Sequence, residues 1–303
     1  MKRIIIFTAI LLIVVTGCSS NPSSNDESDQ SLSIYTSIYP LQYAAEQIAG
    51  NDAAVTSIYP PGVDAHTYEP ATKEITEIAE GDLFLYLGAD MESFADSIKS
   101  ALESQPIEFI NMETTNPDMF HAGEESDEHG DLDPHVWLDP KRMITIGETI
   151  RDELISMSPD NEDVFKENFK VFADDMQELD NAFHNTLDDK ENKTLLVTHA
   201  AYGYWESAYG IEQIAISGIS SSDEPSQKEL TKIAEIAKEN DLQYVVFEKN
   251  NSNKVASIIQ EDIGADKLEI HNLEVLSDED IANNEDYLTL MKHNLEVLDQ
   301  ATE

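Results

Sequence analysis

Short apolar runs alternate along the chain with stretches in which apolar residues return every three or four positions. The first pattern predicts buried strands and the second amphipathic helices. Strands are expected at Leu32–Ser37, Ala53–Tyr59 and Asp82–Leu87, with helices at Leu41–Ile48, Lys73–Glu80 and Met91–Glu103 between and after them. A polar stretch, Asn116–Asp133, interrupts the alternation and reads as a mobile loop. Pro140–Ser156 is helical, and a longer helix from about Pro159 carries Phe165, Phe169, Phe172, Met176, Leu179 and Phe183 on one stripe. A second set of units follows, with strands at Lys193–Thr198, Ile211–Ile216, Leu242–Glu248 and Lys267–Ile270. The helices of this set fall at Pro225–Asn240, Ser252–Ile263 and Asn284–Leu298. Strands alternating with helices indicate an α/β protein with parallel sheets. The expected division is a first lobe at 32–158, a linking helix at 159–188 and a second lobe at 189–303.

The start of the chain obeys a different rule. Met1-Lys2-Arg3 is basic, and Ile4–Val15 is apolar but too short to span a bilayer as a mature helix, which is the pattern of a secretory leader over 1–17. Val15-Thr16-Gly17-Cys18 resembles the lipobox of bacterial lipoproteins, so Cys18, the only cysteine, is the expected lipidation site. Residues 18–31 are nearly devoid of apolar side chains and read as a disordered tether. The body is thus expected outside the cell, anchored by lipid at the membrane surface. Charge sharpens the picture: 61 acidic residues stand against 18 basic ones, a formal net charge of −43. Such a surface excludes nucleic acid as a partner, because phosphate binding needs basic side chains. The carboxylates are scattered along helices, which fits a solvated surface adapted to high salt.

Candidate chemistry lies in the eight histidines. Ligands of α/β sheets bind outside the C-terminal ends of strands, and three histidines fall in such places within turns rich in proline or aromatic residues. His199 follows the apolar run Thr194-Leu195-Leu196-Val197-Thr198, His66 follows Pro60-Pro61-Gly62, and His135 lies between Pro134 and Pro140. Three imidazoles form a nitrogen donor set suited to zinc, copper, nickel or iron. His184 and His293 fall among charged residues on helices and are expected to be solvated. His271 follows a strand out of phase with its core and is a reserve ligand.

Four segments carry a resemblance: Pro61–Pro70 with Val63-Asp64-Ala65-His66, Asp133–Pro140 with Pro134-His135-Val136-Trp137, Thr198–Tyr204, and Phe247-Glu248-Lys249-Asn250-Asn251-Ser252. They resemble, in order and across nearly the whole body, the zinc/manganese class of ABC-transporter solute-binding proteins. That resemblance implies two lobes, each a four-stranded parallel sheet flanked by helices, joined by one long rigid helix with the metal in the cleft between them. It places the first three metal ligands on His66, His135 and His199. It also implies a fourth, acidic ligand after the last strand, where Glu274 fits best and Asp278 and Asp280 compete. Three imidazoles with one carboxylate favour Zn2+ over Mn2+. His121 and His129, among seven acidic residues from Asp118 to Asp133, are similar to the accessory metal loop of zinc-specific members. The implied partners are an ABC permease and its ATPase, with the chain itself expected to be a monomer. A zinc-dependent hydrolase is the alternative of another class, but no His-Glu-x-x-His helix is present. An adhesin role has no distinct signal.

Overall fold

The structure, a computed structural model, describes residues 31–88, 91–121, 132–223, 225–249 and 253–303. The expected leader, Cys18, the tether up to residue 30, and His129 with most of its acidic neighbours lie outside the described residues. Residues 31–303 form one compact unit.

Its first half is a four-stranded parallel sheet in the order β2-β1-β3-β4, from β1 (Leu32–Thr36), β2 (Ala53–Ser57), β3 (Leu83–Tyr86) and β4 (Glu108–Asn111). The second half repeats the order as β6-β5-β7-β8, from β5 (Thr194–Val197), β6 (Glu212–Ala215), β7 (Tyr244–Glu248) and β8 (Asp266–Ile270). All four residues of β3 are buried, as are the last three of β5 and the last four of β7. Interior strands of a parallel sheet are covered on both faces, so they read as continuous apolar runs. β4 supplies the fourth strand that the resemblance implies, at a position the hydrophobic pattern does not mark. It is a short edge strand whose residues are half-buried or exposed, and it leaves no such run.

The connecting helices of the first half are α1 (Tyr39–Ala49), α2 (Thr72–Ile78), α3 (Ala95–Ala101) and the single turn α4 (Met112–Thr115). Two longer helices follow, α5 (Pro140–Met157) and α6 (Glu162–Leu187). The second half contributes α7 (Gly203–Tyr209), α8 (Gln227–Glu239), α9 (Lys254–Ile263), α10 (Asp278–Asn283) and α11 (Tyr287–Ala301). α6 has 26 residues and so spans about 39 Å. Its stripe buries Phe165, Phe172, Met176, Leu179 and Phe183. Phe169 sits at the flank, partly buried beneath the guanidinium of Arg151, 4.4 Å from its ring centre. α6 packs on α1, α5 and α11, so one helix is shared by both halves. No described helix is long and apolar enough to cross a membrane.

The expected loop 116–133 is more structured at its ends than its polarity suggests. Pro117–Phe120 form a 3-10 turn with Met119 and Phe120 buried, and Asp133 is buried as well. α7 and α10 are short helices in segments for which the sequence pattern predicts no element.

Candidate metal centre

The C-terminal ends of the strands face a cleft between the halves, and four side chains meet there. One ligand atom each from His66, His135, His199 and Glu274 lies within 4.8 Å of all the others. His199 leaves β5 at the point where strand order reverses. β5 and β7 are paired with Val197 opposite Val246, which brings Glu248, at the end of β7, level with His199. The Glu248 carboxylate contacts His199 Nδ1, and both side chains are buried. With Nδ1 engaged, Nε2 is the atom turned to the cleft.

His135 is held in the same manner by its own turn. Asp133 Oδ1 accepts from the His135 backbone N–H at 3.0 Å and lies 2.8 Å from Nδ1. An ionised carboxylate only accepts, so Nδ1 carries the proton and Nε2 keeps its lone pair. His135 does not follow a strand directly, contrary to expectation. It precedes the 3-10 turn Val136–Leu138 that leads into α5. The second half holds that turn with four hydrogen bonds: Tyr204 Oη to Asp133 O, Trp137 Nε1 to Asn272 O, Tyr287 Oη to Trp137 O and Trp205 Nε1 to Leu138 O, at 2.6 to 2.8 Å.

His66 stands in the loop after β2, where its N–H donates to Asp64 Oδ1 at 3.0 Å. The other oxygen of Asp64 accepts from Ser221 Oγ of the second half at 2.7 Å. Glu274 follows β8. Its backbone carbonyl accepts from Tyr39 N–H at 2.9 Å, at the start of α1. The preceding Leu273 has φ 62°, a left-handed conformation uncommon for a non-glycine residue.

Donor spacings are 3.3 Å between the Nε2 atoms of His135 and His199, 3.4 Å from His66 Nε2 to Glu274 Oε1 and 4.0 Å from His135 Nε2 to the same oxygen. A tetrahedron with bonds of about 2.05 Å separates its donors by about 3.3 Å. His66 Nε2 and Glu274 Oε1 are buried, face each other at 3.4 Å and miss hydrogen-bond geometry, an arrangement that a cation between them would satisfy. Burial pushes the Glu274 carboxyl upward, but His66 foremost, then His135 and His199, outweigh it and hold the carboxyl below its usual range. Burial likewise opposes charge on His66 and His199, yet Glu274 and Glu248 respectively lift both above an ordinary imidazole. At His135 burial prevails over Asp133 and the pKa is lowered.

The remaining histidines and acids stand elsewhere. Asp280 is buried, but it accepts from His271, Lys249 and Ser277 at the start of α10; Asp278 is exposed. His271 is enclosed rather than ligating: Nδ1 accepts from Leu273 N–H at 2.9 Å and Nε2 faces Asp280 at 3.2 Å. His184 is half-buried, with Nδ1 3.0 Å from Asp188 Oδ1, and His293 is exposed. His121 is exposed at the end of its 3-10 turn and is not in the cluster of four. Asp133, Glu248 and Asp64 went unassigned from sequence. Glu248 had a visible signal, a carboxylate closing an otherwise apolar strand.

Residues 34–301 match the family described as ZnuA: zinc-uptake complex component A periplasmic. The chain belongs to the ZnuA family. The resemblance seen in the four sequence segments therefore holds at the level of the family. The chain is similar to the zinc-binding lipoprotein AdcA of Streptococcus pneumoniae, at 32% identity over all of the chain, and spans 62% of that protein's length. It is 31% identical to the high-affinity zinc uptake system protein ZnuA of Bacillus subtilis, over 97% of this chain and 95% of that one. Among solved structures it resembles the Zn(II)-bound ZnuA-like domain of pneumococcal AdcA, with TM-score 0.75 and 32% identity, covering 90% of this chain and 99% of that domain. Two four-stranded parallel sheets with a shared long helix are thus the architecture of a ZnuA-like solute-binding protein.

Proposed function

We propose that this chain captures Zn2+ outside the cell through His66, His135, His199 and Glu274 and delivers it to an ABC permease driven by its ATPase. The observation that carries the reading is the convergence of these four buried donors, two from each half, at spacings suited to one tetrahedral ion. The names of the pneumococcal and Bacillus relatives, both zinc-binding or zinc-uptake proteins, support it. Three imidazoles with one carboxylate favour zinc over manganese, whose preference runs to oxygen. Four protein donors fill a tetrahedron, so no position is left for the activated water that a zinc hydrolase needs.

In this reading residues 32–158 and 189–303 are the two lobes and 159–188 the link, with Cys18 carrying a lipid that holds a monomer at the membrane. His121 and His129 serve as accessory, weaker zinc donors. Deleting 122–130 would then slow zinc loading and leave the main site intact; unchanged loading would remove that role.

Elemental analysis of the purified protein tests the main reading. One zinc per chain is expected, and none after dialysis for His199→Ala. Equal zinc content in wild type and variant, or manganese in place of zinc, would overturn it.

A further inference from the structure

The segment Phe247-Glu248-Lys249 has so far only one task, since Glu248 meets His199. Lys249, next along the chain, leaves β7 toward the other side. Its Nζ donates to Asp280 Oδ1 at 2.6 Å. Asp280 is buried and its other oxygen faces His271 Nε2 at 3.2 Å. Across the ring, His271 Nδ1 accepts from the Leu273 backbone N–H at 2.9 Å. The orientation is fixed chemically, because an atom accepting from an N–H carries no proton, so the ring proton is on Nε2 and is donated to the carboxylate. His271 itself is clamped by Asn294 of α11, which accepts from its N–H at 2.9 Å and donates to its carbonyl at 2.7 Å. Asn294 is fully buried. The relay ends on Leu273, the residue with φ 62° immediately before Glu274. A left-handed leucine persists only where its surroundings hold it, and the His271 ring is one of the groups that hold this buried one.

We propose that Lys249, Asp280 and His271 form a positioning relay that sets Glu274 in the metal cleft, so that the tip of β7 serves both ligands of the second half: Glu248 orients His199, and Lys249 acts through Asp280 and His271 on Glu274. None of the three relay residues is in the cluster of four donors. The proposal rests on the assignment of Glu274 as a ligand.

A double-mutant cycle on the full chain tests both layers. Zinc dissociation constants are measured by competition with a chromophoric chelator for wild type, Glu274→Gln, His271→Ala and the double variant, together with the thermal midpoints of the metal-free proteins. His271→Ala is expected to weaken zinc binding about 10- to 100-fold, the usual effect of an outer partner of a metal site. In the Glu274→Gln background it should add nothing, because the residue it positions is already lost. The visible absorption of the Co2+-loaded His271→Ala protein should approach that of Co2+-loaded Glu274→Gln. A purely structural His271 would lower the thermal midpoint without this convergence. Lys249→Met, at the partly exposed far end of the relay, gives the same comparison should His271→Ala fail to fold. Zinc binding at wild-type strength in His271→Ala or, if that protein does not fold, in Lys249→Met overturns the relay, as do losses that multiply in the double variant. Wild-type affinity in Glu274→Gln overturns the ligand assignment and the relay with it.

Discussion

At the scale of single residues, the proposed centre leaves His199 and His135 one free nitrogen each. Glu248 occupies Nδ1 of His199, and Asp133 does the same for His135. Glu248→Gln keeps shape and burial but weakens the acceptor, so zinc affinity should fall about 10- to 100-fold, read by chelator competition. Protons compete for the same atoms. In the metal-free protein His66 and His199 titrate above an ordinary imidazole, once Glu274 and Glu248 have outweighed burial. Zinc must displace those protons, so affinity should rise with pH through the raised values and level off above them. Calorimetry in buffers of different ionisation enthalpy reads the protons released; a flat affinity between pH 5 and 8 would contradict the ligand set. Glu92, just before α3, behaves in the opposite sense to a paired carboxylate. Burial pushes it from 4.5 to about 7, against the hydrogen bond it accepts from Gly88 N–H. The folded chain then holds this proton in a range where the unfolded chain has lost it, so its contribution to stability falls as pH rises from about 4.5 to 7. Glu92→Gln should therefore raise the thermal midpoint at pH 8 and not at pH 5. The three histidines were legible from sequence because each sits in a distinctive turn. Glu274 was harder to single out, since Asp278 and Asp280 are near it in sequence, and only tertiary contacts show Asp280 engaged with Lys249 and His271.

At the scale of elements, α5 and α6 approach closely at one point. A Cβ added at Gly147 would stand 2.6 Å from Phe172 Cε1, inside any normal contact. Gly147→Ala is expected to cost about 1–3 kcal/mol through overpacking, measurable by urea denaturation, although alanine alone would favour the helix. The interior strands β3, β5 and β7 read as apolar runs, whereas β4 is an edge strand whose Glu108 is exposed and which leaves no such run. α10 is too short for a repeating stripe, yet Ser277 and Asp280 form a capping box at its start. That signal could have been read at the spacing of three residues. The stripe of α6 gave the long helix in advance. What it could not give is the partner on each flank, because Phe169 repeats with the rest yet is only partly buried at the core and also meets Arg151.

At the scale of the whole molecule, a net charge of −43 opposes compaction by self-repulsion and is screened by salt. Raising sodium chloride from about 10 mM to 1 M, a change that shortens the screening length from about 30 Å to 3 Å, should raise the thermal midpoint of the metal-free protein; a lower midpoint would mean that ion pairs outweigh repulsion. The hydrogen bonds across the cleft are unevenly distributed. The turn holding His135 is bound to the second half by four of them, whereas the loop of His66 makes two described bonds to that half, from Gly62 N–H to Leu276 O and from Ser221 Oγ to Asp64. Parting the halves at His135 would break the larger set, so the cheaper motion is withdrawal of His66. In the proposed reading, an arriving ion would then meet His135, His199 and Glu274 first, with His66 closing last and releasing first.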